Sequence, residues 1–247
     1  MKSSPSLILQ QMELGPMENF LYFLGDPLTR EVAVVDPAWD VDFLREEAKR
    51  QGLKIVCVLL THGHPDHVNG LEDLLSTHDV PVYVSQHEAA LFKPKGKNIR
   101  DVKPHQKLKI GQLEFECLHT PGHSPGCQCF YAQGCLVSGD TIFIDGCGRC
   151  DLPGSDPREM YDSLYNTIIK LPDAIRIYPG HNYGPSPSDT LANQKKTNPY
   201  LQCRNLEEFL EERMGISLWE GTTAFLWGRL ETIEENFADD PAIHPKG

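Results

Sequence analysis

The chain has 247 residues, of which 40% are hydrophobic, and its formal net charge at pH 7 is −12. This length is enough for one large domain, or for one domain with a small appendage. The acidic balance argues against a general binder of nucleic acid or of anionic membrane surfaces, because phosphate groups are bound by clustered Lys and Arg.

The first residues lack the pattern of a secretory leader. The apolar run at 6–9 is much shorter than a signal core, and Glu13 follows soon after it. No stretch of the sequence approaches the apolar length that crosses a bilayer. A cytoplasmic protein without a membrane partner is therefore expected.

The first part of the chain is predicted to alternate between strands and helices. Strands are predicted at 7–12, 20–24, 31–36, 55–60 and 82–85. A helix is predicted to begin at the N-cap Asp40 and to end before Gly52. Another helix start is predicted at 87–91, followed by a basic loop at 93–97.

Residues 61–67 read Thr-His-Gly-His-Pro-Asp-His, directly after the predicted strand 55–60. His62, His64, Asp66 and His67 offer the nitrogen and oxygen donors that zinc, iron and manganese accept. The apolar residues that follow have helical spacing, namely Val68, Leu71, Leu74 and Leu75. The four donors are therefore expected on a tight turn between a buried strand and an amphipathic helix.

The second half repeats this architecture, with strands predicted at 113–118, 127–132, 135–138 and 175–178. A helix is predicted from the N-cap Asp156, with Pro157 at N1 and Glu159 at N3. Its buried stripe is expected to contain Met160, Leu164, Ile168 and Leu171. Further helical stretches are predicted at 190–196, 206–214 and 218–237.

Three more donors stand just beyond the ends of apolar runs: His123, Asp140 and His181. Loops from neighbouring strands converge at one edge of a layered fold, so these side chains are expected near the first cluster. His119 precedes Thr-Pro-Gly and is expected to support the site through hydrogen bonds rather than to bind metal. The remaining imidazoles are expected to be solvated or structural: His78, His87, His105 and His244.

The chain also contains eight Cys, which are expected to be reduced thiols in a cytoplasmic protein. The spacings Cys127-x-Cys129 and Cys147-x-x-Cys150 leave open a zinc site with four thiolates. Cys57, Cys117 and Cys129 stand in strand-like runs, where small buried thiols are common.

The His-x-His-x-Asp-His cluster, followed in order by His123, Asp140 and His181, resembles the metallo-β-lactamase superfamily over about residues 6–200. The resemblance implies an α/β (α+β) fold, a four-layer αββα sandwich with the site at one edge of its two sheets. It also implies a catalytic domain at 1–200, which leaves a helical C-terminal extension and tail at 201–247.

The resemblance further implies two divalent metal ions, with zinc favoured and iron or manganese also accepted by such donors. One ion would be held by His62, His64 and His123, the other by Asp66, His67 and His181, and Asp140 would bridge them. The residues expected to take part in catalysis are Asp66, His62, His64 and Asp140. The implied chemistry is attack on a carbonyl by a hydroxide that the two cations make available near neutral pH.

Within the superfamily, residues 139–149 resemble the glyoxalase II (hydroxyacylglutathione hydrolase) branch. The resemblance implies that Arg149 binds an anionic part of the substrate and that Tyr183 contacts the substrate. Asn198-Pro199-Tyr200 resembles a further element of that branch. The leading prediction is therefore a metal-dependent hydrolase of a small acyl thioester, with a glutathione-linked thioester as the candidate partner.

Two departures and two alternatives stay open. Asp151 replaces an expected aromatic residue, and no C-terminal Arg-x-x-Lys cluster is found for a glutathione carboxylate. The segment 146–151 also resembles persulfide dioxygenases, in which a single Fe(II) would be held by His62, His123 and Asp140. A lactone or other ester hydrolase is the second alternative. A metal-binding structural or sensor protein and a nucleic-acid-processing enzyme are both disfavoured.

Overall fold

The computed structural model describes residues 7–88, 92 and 98–215. The predicted helix start at 87–91, the loop at 93–97 and the predicted helix at 218–237 therefore lie wholly or largely outside the described residues. The boundary predicted at 200 stays a prediction.

The described residues contain two six-stranded sheets. The first has the order β1 (Ile8–Leu14), β2 (Asn19–Gly25), β3 (Glu31–Val35), β4 (Lys54–Leu59), β5 (Val82–Ser85) and β6 (Ile99–Val102). The second contains β7 (Lys107–Ile110), β8 (Leu113–His119), β9 (Gln128–Ala132), β10 (Cys135–Gly139), β11 (Arg176–Pro179) and β12 (Asp189–Thr190), ordered in space from β12 to β7. Strands β3 to β6 run parallel, as do β10 and β11.

In the part of the chain that the structure describes, six α-helices lie on the sheets or between the strands: α1 (Val41–Gln51), α2 (Pro65–Val68), α3 (Leu71–Thr77), α4 (Pro157–Asp162), α5 (Leu191–Thr197) and α6 (Leu206–Met214). Asp40 caps α1 by accepting a hydrogen bond from the Phe43 N–H, and Gly52 ends it with a left-handed φ of 64°. Both ends of this helix are as predicted.

The two sheets pack face to face, and each outer face is covered by helices. Strand β2 shows this arrangement in its sequence, because all its residues are buried. Phe20, Tyr22 and Leu24 belong to the cluster between the sheets, whereas Leu21 and Phe23 belong to the cluster beneath α1 and α3. A strand covered on both faces reads as a continuous apolar run. The predicted four-layer αββα sandwich is confirmed.

The prediction of one helix after the donor cluster is wrong, because the structure has two short helices there. Asn69 and Gly70 separate α2 from α3. The Gly70 N–H donates to the Pro37 carbonyl at 3.1 Å, and a Cβ on Gly70 would lie 2.6 Å from Val41 Cγ2. The chain breaks there because its backbone packs directly against the segment leading into α1.

The helix predicted from Asp156 begins as expected, with the Asp156 side chain accepting from two backbone N–H groups. After α4 it widens into a π turn over Ser163–Thr167 and tightens into a 3₁₀ turn over Ile168–Lys170. Three members of its predicted stripe are fully buried, whereas Leu171 is half-buried: Met160, Leu164 and Ile168. Strands β6, β7 and β12 were not predicted, because they are short and carry charged residues.

Helix α6 packs onto the same layer as α4. Phe209 is fully buried in the cluster that also holds Met160 and Leu164, and its ring lies 5.6 Å from that of Tyr161. Asn205 caps the helix by accepting from the Glu208 N–H. Of the helices that the structure describes, none has the length and apolar run that crossing a bilayer requires.

All eight thiols are free, and seven are buried. Among the described residues, the groups of side chains placed to hold a metal ion contain His and Asp but no Cys. The four-thiolate zinc site left open by the sequence is therefore not formed. Cys57, Cys117 and Cys129 lie in the packed interior of the sheets, as predicted.

We predict that the folded protein reacts slowly with a thiol reagent such as DTNB at pH 8. Burial raises the pKa of Cys57, Cys117 and Cys150 to about 12, and that of Cys129 to about 11, so almost no thiolate is present. Cys135, which is partly exposed, should supply the only fast phase, and Cys135→Ser should remove it. Several thiols reacting at the rate seen in denaturant would contradict this.

Candidate metal centre

The seven predicted donors converge at one end of the two sheets. Two come from the turn between β4 and α2, two from α2 itself, one from the loop between β8 and β9, and one each from just beyond β10 and β11: His62, His64, Asp66, His67, His123, Asp140 and His181. Because β10 and β11 run parallel, their ends deliver Asp140 and His181 side by side. The Gly180 N–H donates to the Gly139 carbonyl at 2.8 Å and ties the two exits together.

The first group of donors consists of three imidazoles. The ligand atoms of His62, His64 and His123 all lie within 4.8 Å of one another. His64 Nδ1 lies 2.8 Å from His123 Nε2. The three side chains that the resemblance assigned to the first ion are therefore brought together.

The second group consists of one carboxylate and two imidazoles. The ligand atoms of Asp66, His67 and His181 also lie within 4.8 Å of one another. Asp66 Oδ2 is 3.4 Å from the Nε2 atoms of both His67 and His181, which are themselves 3.1 Å apart. The structure thus also assembles the residues assigned to the second ion.

Asp140 lies between the two groups. Its Oδ2 is 3.4 Å from His123 Nε2 and 3.4 Å from His181 Nε2, while its Oδ1 is 3.4 Å from His67 Nε2. One carboxylate therefore contacts an imidazole of the first group and two of the second. This is the position of a bridging ligand.

Asp36, which the sequence reading took only as the end of a strand, fixes two of the imidazoles. Its carboxylate accepts from the Thr61 hydroxyl at 2.6 Å, the Thr61 N–H at 2.7 Å and His67 Nδ1 at 3.0 Å. Since the Thr61 hydroxyl hydrogen is used by Asp36, Thr61 Oγ1 accepts from His62 Nδ1 at 3.0 Å. Both rings therefore carry their proton on Nδ1 and turn the Nε2 lone pair into the site.

Backbone carbonyls fix two other imidazoles in the same tautomer. His123 Nδ1 lies 2.8 Å from the Arg149 carbonyl, and His181 Nδ1 lies 2.8 Å from the Met17 carbonyl. A carbonyl can only accept, so each ring donates from Nδ1 and keeps a lone pair on Nε2. The turn between β1 and β2 and the loop after β10 are thereby part of the centre.

The donor set fits a divalent cation. His62 Nε2 and Asp140 Oδ1 are buried and have no hydrogen-bond partner among the described residues. Imidazole lone pairs facing each other at about 3 Å repel unless a proton or a metal ion lies between them. Buried nitrogen and carboxylate oxygen atoms in groups of three suit zinc, iron or manganese.

The electrostatics differ between the two groups. Burial lowers the pKa of His62 well below its ordinary value, and that of His64 to about 4. Burial would also lower the pKa of His67, but the Asp140 carboxylate outweighs it and the pKa is raised to about 9. Burial disfavours the Asp140 anion, yet His67 lowers the Asp140 pKa well below its usual range. In the metal-free protein, the second group therefore holds a proton that a metal ion would replace.

Glu88 is a fully buried carboxylate that the sequence analysis did not select. Its Oε1 accepts from the Gly63 N–H at 2.8 Å, and its Oε2 accepts from the Ser124 hydroxyl at 2.8 Å. Gly63 lies between two ligands of the first group, and Ser124 follows the third. One carboxylate therefore joins the two loops that form the three-His group. No sequence signal distinguished it, because a single Glu after a short strand is most often exposed.

The predicted substrate residues lie on either side of the centre. The Tyr183 ring stacks on that of His181, with centroids 4.5 Å apart and an angle of 12°, and is half exposed. The Arg149 guanidinium makes a two-pronged pair with Asp151, from Nε to Oδ1 and from Nη2 to Oδ2, each at 2.9 Å. Asp151, noted in the sequence as a departure, thus occupies one edge of the predicted anion-binding group.

The loop that carries Arg149 is held in place by hydrogen bonds from residues near the C-terminal end of the described chain. Arg213 on α6 donates from Nε to the Gly148 carbonyl at 2.9 Å. A Cβ at Gly148 would lie 2.1 Å from the Asp140 carbonyl oxygen, so only glycine fits. Asn198 donates to the Gly146 carbonyl at 3.0 Å. The Asn-Pro-aromatic element therefore supports this loop from a distance in sequence.

His119 has the supporting role predicted for it, although it supports the backbone rather than a ligand. Its Nε2 lies 3.0 Å from the Pro125 carbonyl, across the loop that carries His123. Its ring stacks on the exposed ring of His87, with centroids 4.6 Å apart.

Residues 16–181 match the Lactamase_B family, described as the Metallo-beta-lactamase superfamily. The matched segment contains all seven donors. The chain belongs to the metallo-β-lactamase superfamily. The prediction of a metal-dependent hydrolase of this superfamily is confirmed at that level.

Proteins similar in sequence to this chain are named for different activities. It is 33% identical over 195 residues to the probable polyketide biosynthesis zinc-dependent hydrolase PksB of Bacillus subtilis, which covers 79% of this chain and 87% of that protein. It is 30% identical over 223 residues to the persulfide dioxygenase ETHE1 of Mus musculus, covering 87% and 84%. It is 36% identical over 176 residues to a hydroxyacylglutathione hydrolase of Alkalilimnicola ehrlichii, covering 71% and 64%.

Among solved structures, ETHE1 from Myxococcus xanthus superposes with a TM-score of 0.76 at 27% identity, covering 85% of this chain and 92% of that one. The similarity therefore extends across several branches of the metallo-β-lactamase superfamily. These similarities establish the superfamily of the chain. The reaction that the protein catalyses has to be inferred from the site itself.

We predict that Glu88→Ala weakens metal binding about 10- to 100-fold, chiefly at the three-His group, because the two loops lose their shared acceptor. Glu88→Gln keeps an acceptor for the Gly63 N–H and should have a much smaller effect. Metal content after dialysis against a chelator, together with the melting temperature, provides the measurement. Glu72→Ala on the exposed face of α3 is the matched control. Full metal retention in Glu88→Ala would contradict the prediction.

Proposed function

We propose that this protein is a metal-dependent hydrolase of small acyl thioesters. The observation that carries the proposal is the pair of donor groups joined by Asp140 in one buried centre. When bound there, two divalent cations supply the Lewis acidity that activates water and polarises an acyl carbonyl. The residues that would hold them are His62, His64 and His123 in one group, and Asp66, His67 and His181 in the other.

The protein's own side chains make the centre rigid before a substrate arrives. Asn19 donates to Asp66 Oδ2 at 2.9 Å, and its own Oδ1 accepts from the Trp39 indole at 2.8 Å. With Asp36 and the Met17 carbonyl, these contacts fix every donor of the second group. Donors held in place this way need little reorganisation as charge develops during acyl transfer.

The chemistry of the leaving group favours a thioester. Tyr183 lies beside the centre, and in the metal-free protein burial, together with the Asp140 charge, raises its pKa to about 12. Four imidazoles of the centre use one nitrogen toward the site and the other toward a supporting group: His62, His67, His123 and His181. A thiol has a pKa of about 8.5 and can leave as a thiolate without a strong acid. An amine leaving group would need such an acid.

The second candidate is the mononuclear persulfide dioxygenase, which the relationship to mouse ETHE1 supports. The centre contains the three residues that would hold a single Fe(II) in such an enzyme, namely His62, His123 and Asp140. A complete second group of Asp66, His67 and His181 favours the hydrolase, because a single Fe(II) does not need it.

Assays separate the two candidates. The hydrolase should release thiol from S-lactoylglutathione or a simple acyl thioester without oxygen uptake, and His181→Ala should reduce kcat/KM at least about 100-fold through loss of a second-group ligand. Metal analysis should give about two ions per chain under this hypothesis. One iron per chain, with oxygen uptake on glutathione persulfide and no thiol release from thioesters, would overturn the proposal.

Arg149 offers a sharper test because Asp151 is paired with it. If Arg149 contacts an anionic part of the substrate, Arg149→Ala should raise KM by about three- to tenfold with little change in kcat. Asp151→Asn should release the guanidinium and lower KM, which is the opposite sign. Steady-state kinetics on an anionic thioester measures both. A fall in kcat at unchanged KM in Arg149→Ala would reject a substrate-binding role.

A further inference from the structure

A cavity of about 450 Å³ opens beside the metal centre. It is lined by Gly63, His64, Pro65, Val68, Asn69, Phe92 and Pro153. Because His64 both lines the cavity and belongs to the three-His group, the cavity adjoins that group. Its volume lies within the range of small-ligand pockets.

The walls of the cavity are mostly hydrocarbon. Phe92 packs so closely on the turn that a Cβ at Gly63 would lie 2.3 Å from Phe92 Cβ. Pro65 and Val68 come from α2, and Pro153 comes from the loop that follows Arg149. These side chains therefore reach the cavity from two separate segments of the chain.

One polar atom of the cavity lining already has a partner within the protein. The Asn69 side-chain oxygen accepts from the Trp39 N–H at 2.7 Å. None of the described lining residues is a Lys, Arg, Asp or Glu. A carboxylate entering here would therefore meet no counter-charge among those residues, and desolvating it would be costly.

We infer that the cavity binds the acyl chain of the substrate, and that this chain is an uncharged hydrocarbon rather than a short polar acyl group. The inference rests on the proposed thioester hydrolase. In that reaction water adds across the bond between the acyl carbon and sulfur, so that a C–O bond forms, the C–S bond breaks, and a free carboxylic acid and a thiol leave. The carbonyl reacts at the centre while the rest of the acyl group lies against Val68 and Phe92.

A series of N-acetylcysteamine thioesters tests this, because the thiol is constant and uncharged. From acetyl to butanoyl to hexanoyl, kcat/KM should rise by up to about fourfold for each methylene buried. Lactoyl and succinyl thioesters should gain nothing over acetyl. If kcat/KM stays constant or falls with chain length while the acetyl thioester is still hydrolysed, the acyl-chain inference is overturned and the proposed hydrolase activity is retained. No hydrolysis of any thioester overturns both.

Substitutions in the cavity wall test whether the dependence of kcat/KM on acyl-chain length arises there. Val68→Thr keeps the shape of the side chain and places a hydroxyl in the cavity, so the gain per methylene should shrink. Phe92→Ala should flatten the series further, and a melting curve establishes that the variant is folded. Phe43→Ala, on the exposed face of α1, is the control and should leave the slope unchanged. An unchanged slope in both Val68→Thr and Phe92→Ala would overturn the assignment of the cavity.

Discussion

The structure depends on one electrostatic constraint, the close approach of imidazole lone pairs in a buried place. Four rings are held by acceptors on their outer nitrogens, so their inner nitrogens face one another and the carboxylates of Asp66 and Asp140. This arrangement is unfavourable without a cation, whether a proton or a metal ion. The supporting groups, Asp36 above all, stabilise the folded site against that repulsion, and the same rigidity prepares it for catalysis.

The sandwich supplies the framework for this constraint. A change of register would move every side chain of a strand to the opposite face and disrupt the packing there, so the loops at the strand ends are delivered to fixed positions. The first sheet contributes the His-rich turn, and the second contributes His123, Asp140 and His181. Glu88 and the hydrogen bond between Gly180 and Gly139 join loops that the sheets alone would only bring near each other.

Sequence reasoning found the layers and all seven donors because both leave local patterns. The apolar run of β2 and the Asp40 and Asp156 caps are visible within a few residues, and the donor spacing is unusual. Supporting residues leave no such pattern: Glu88 and Arg213 are recognised only through contacts with residues far away in the chain. The break at Gly70 was missed because packing against Pro37 overrides helical spacing. The pairing of Arg149 with Asp151 was equally hidden, since side-chain geometry decides it.

The bond from His181 to the Met17 carbonyl joins residues 164 positions apart in the chain. A contact of such separation closes a long loop, and the entropy of that closure has to be overcome. The second donor group can therefore be complete only after the first hairpin and the eleventh strand have met. An ion bound by Asp66, His67 and His181 would therefore stabilise the chains in which these two distant parts have met. Metal binding and this long-range closure would be thermodynamically coupled.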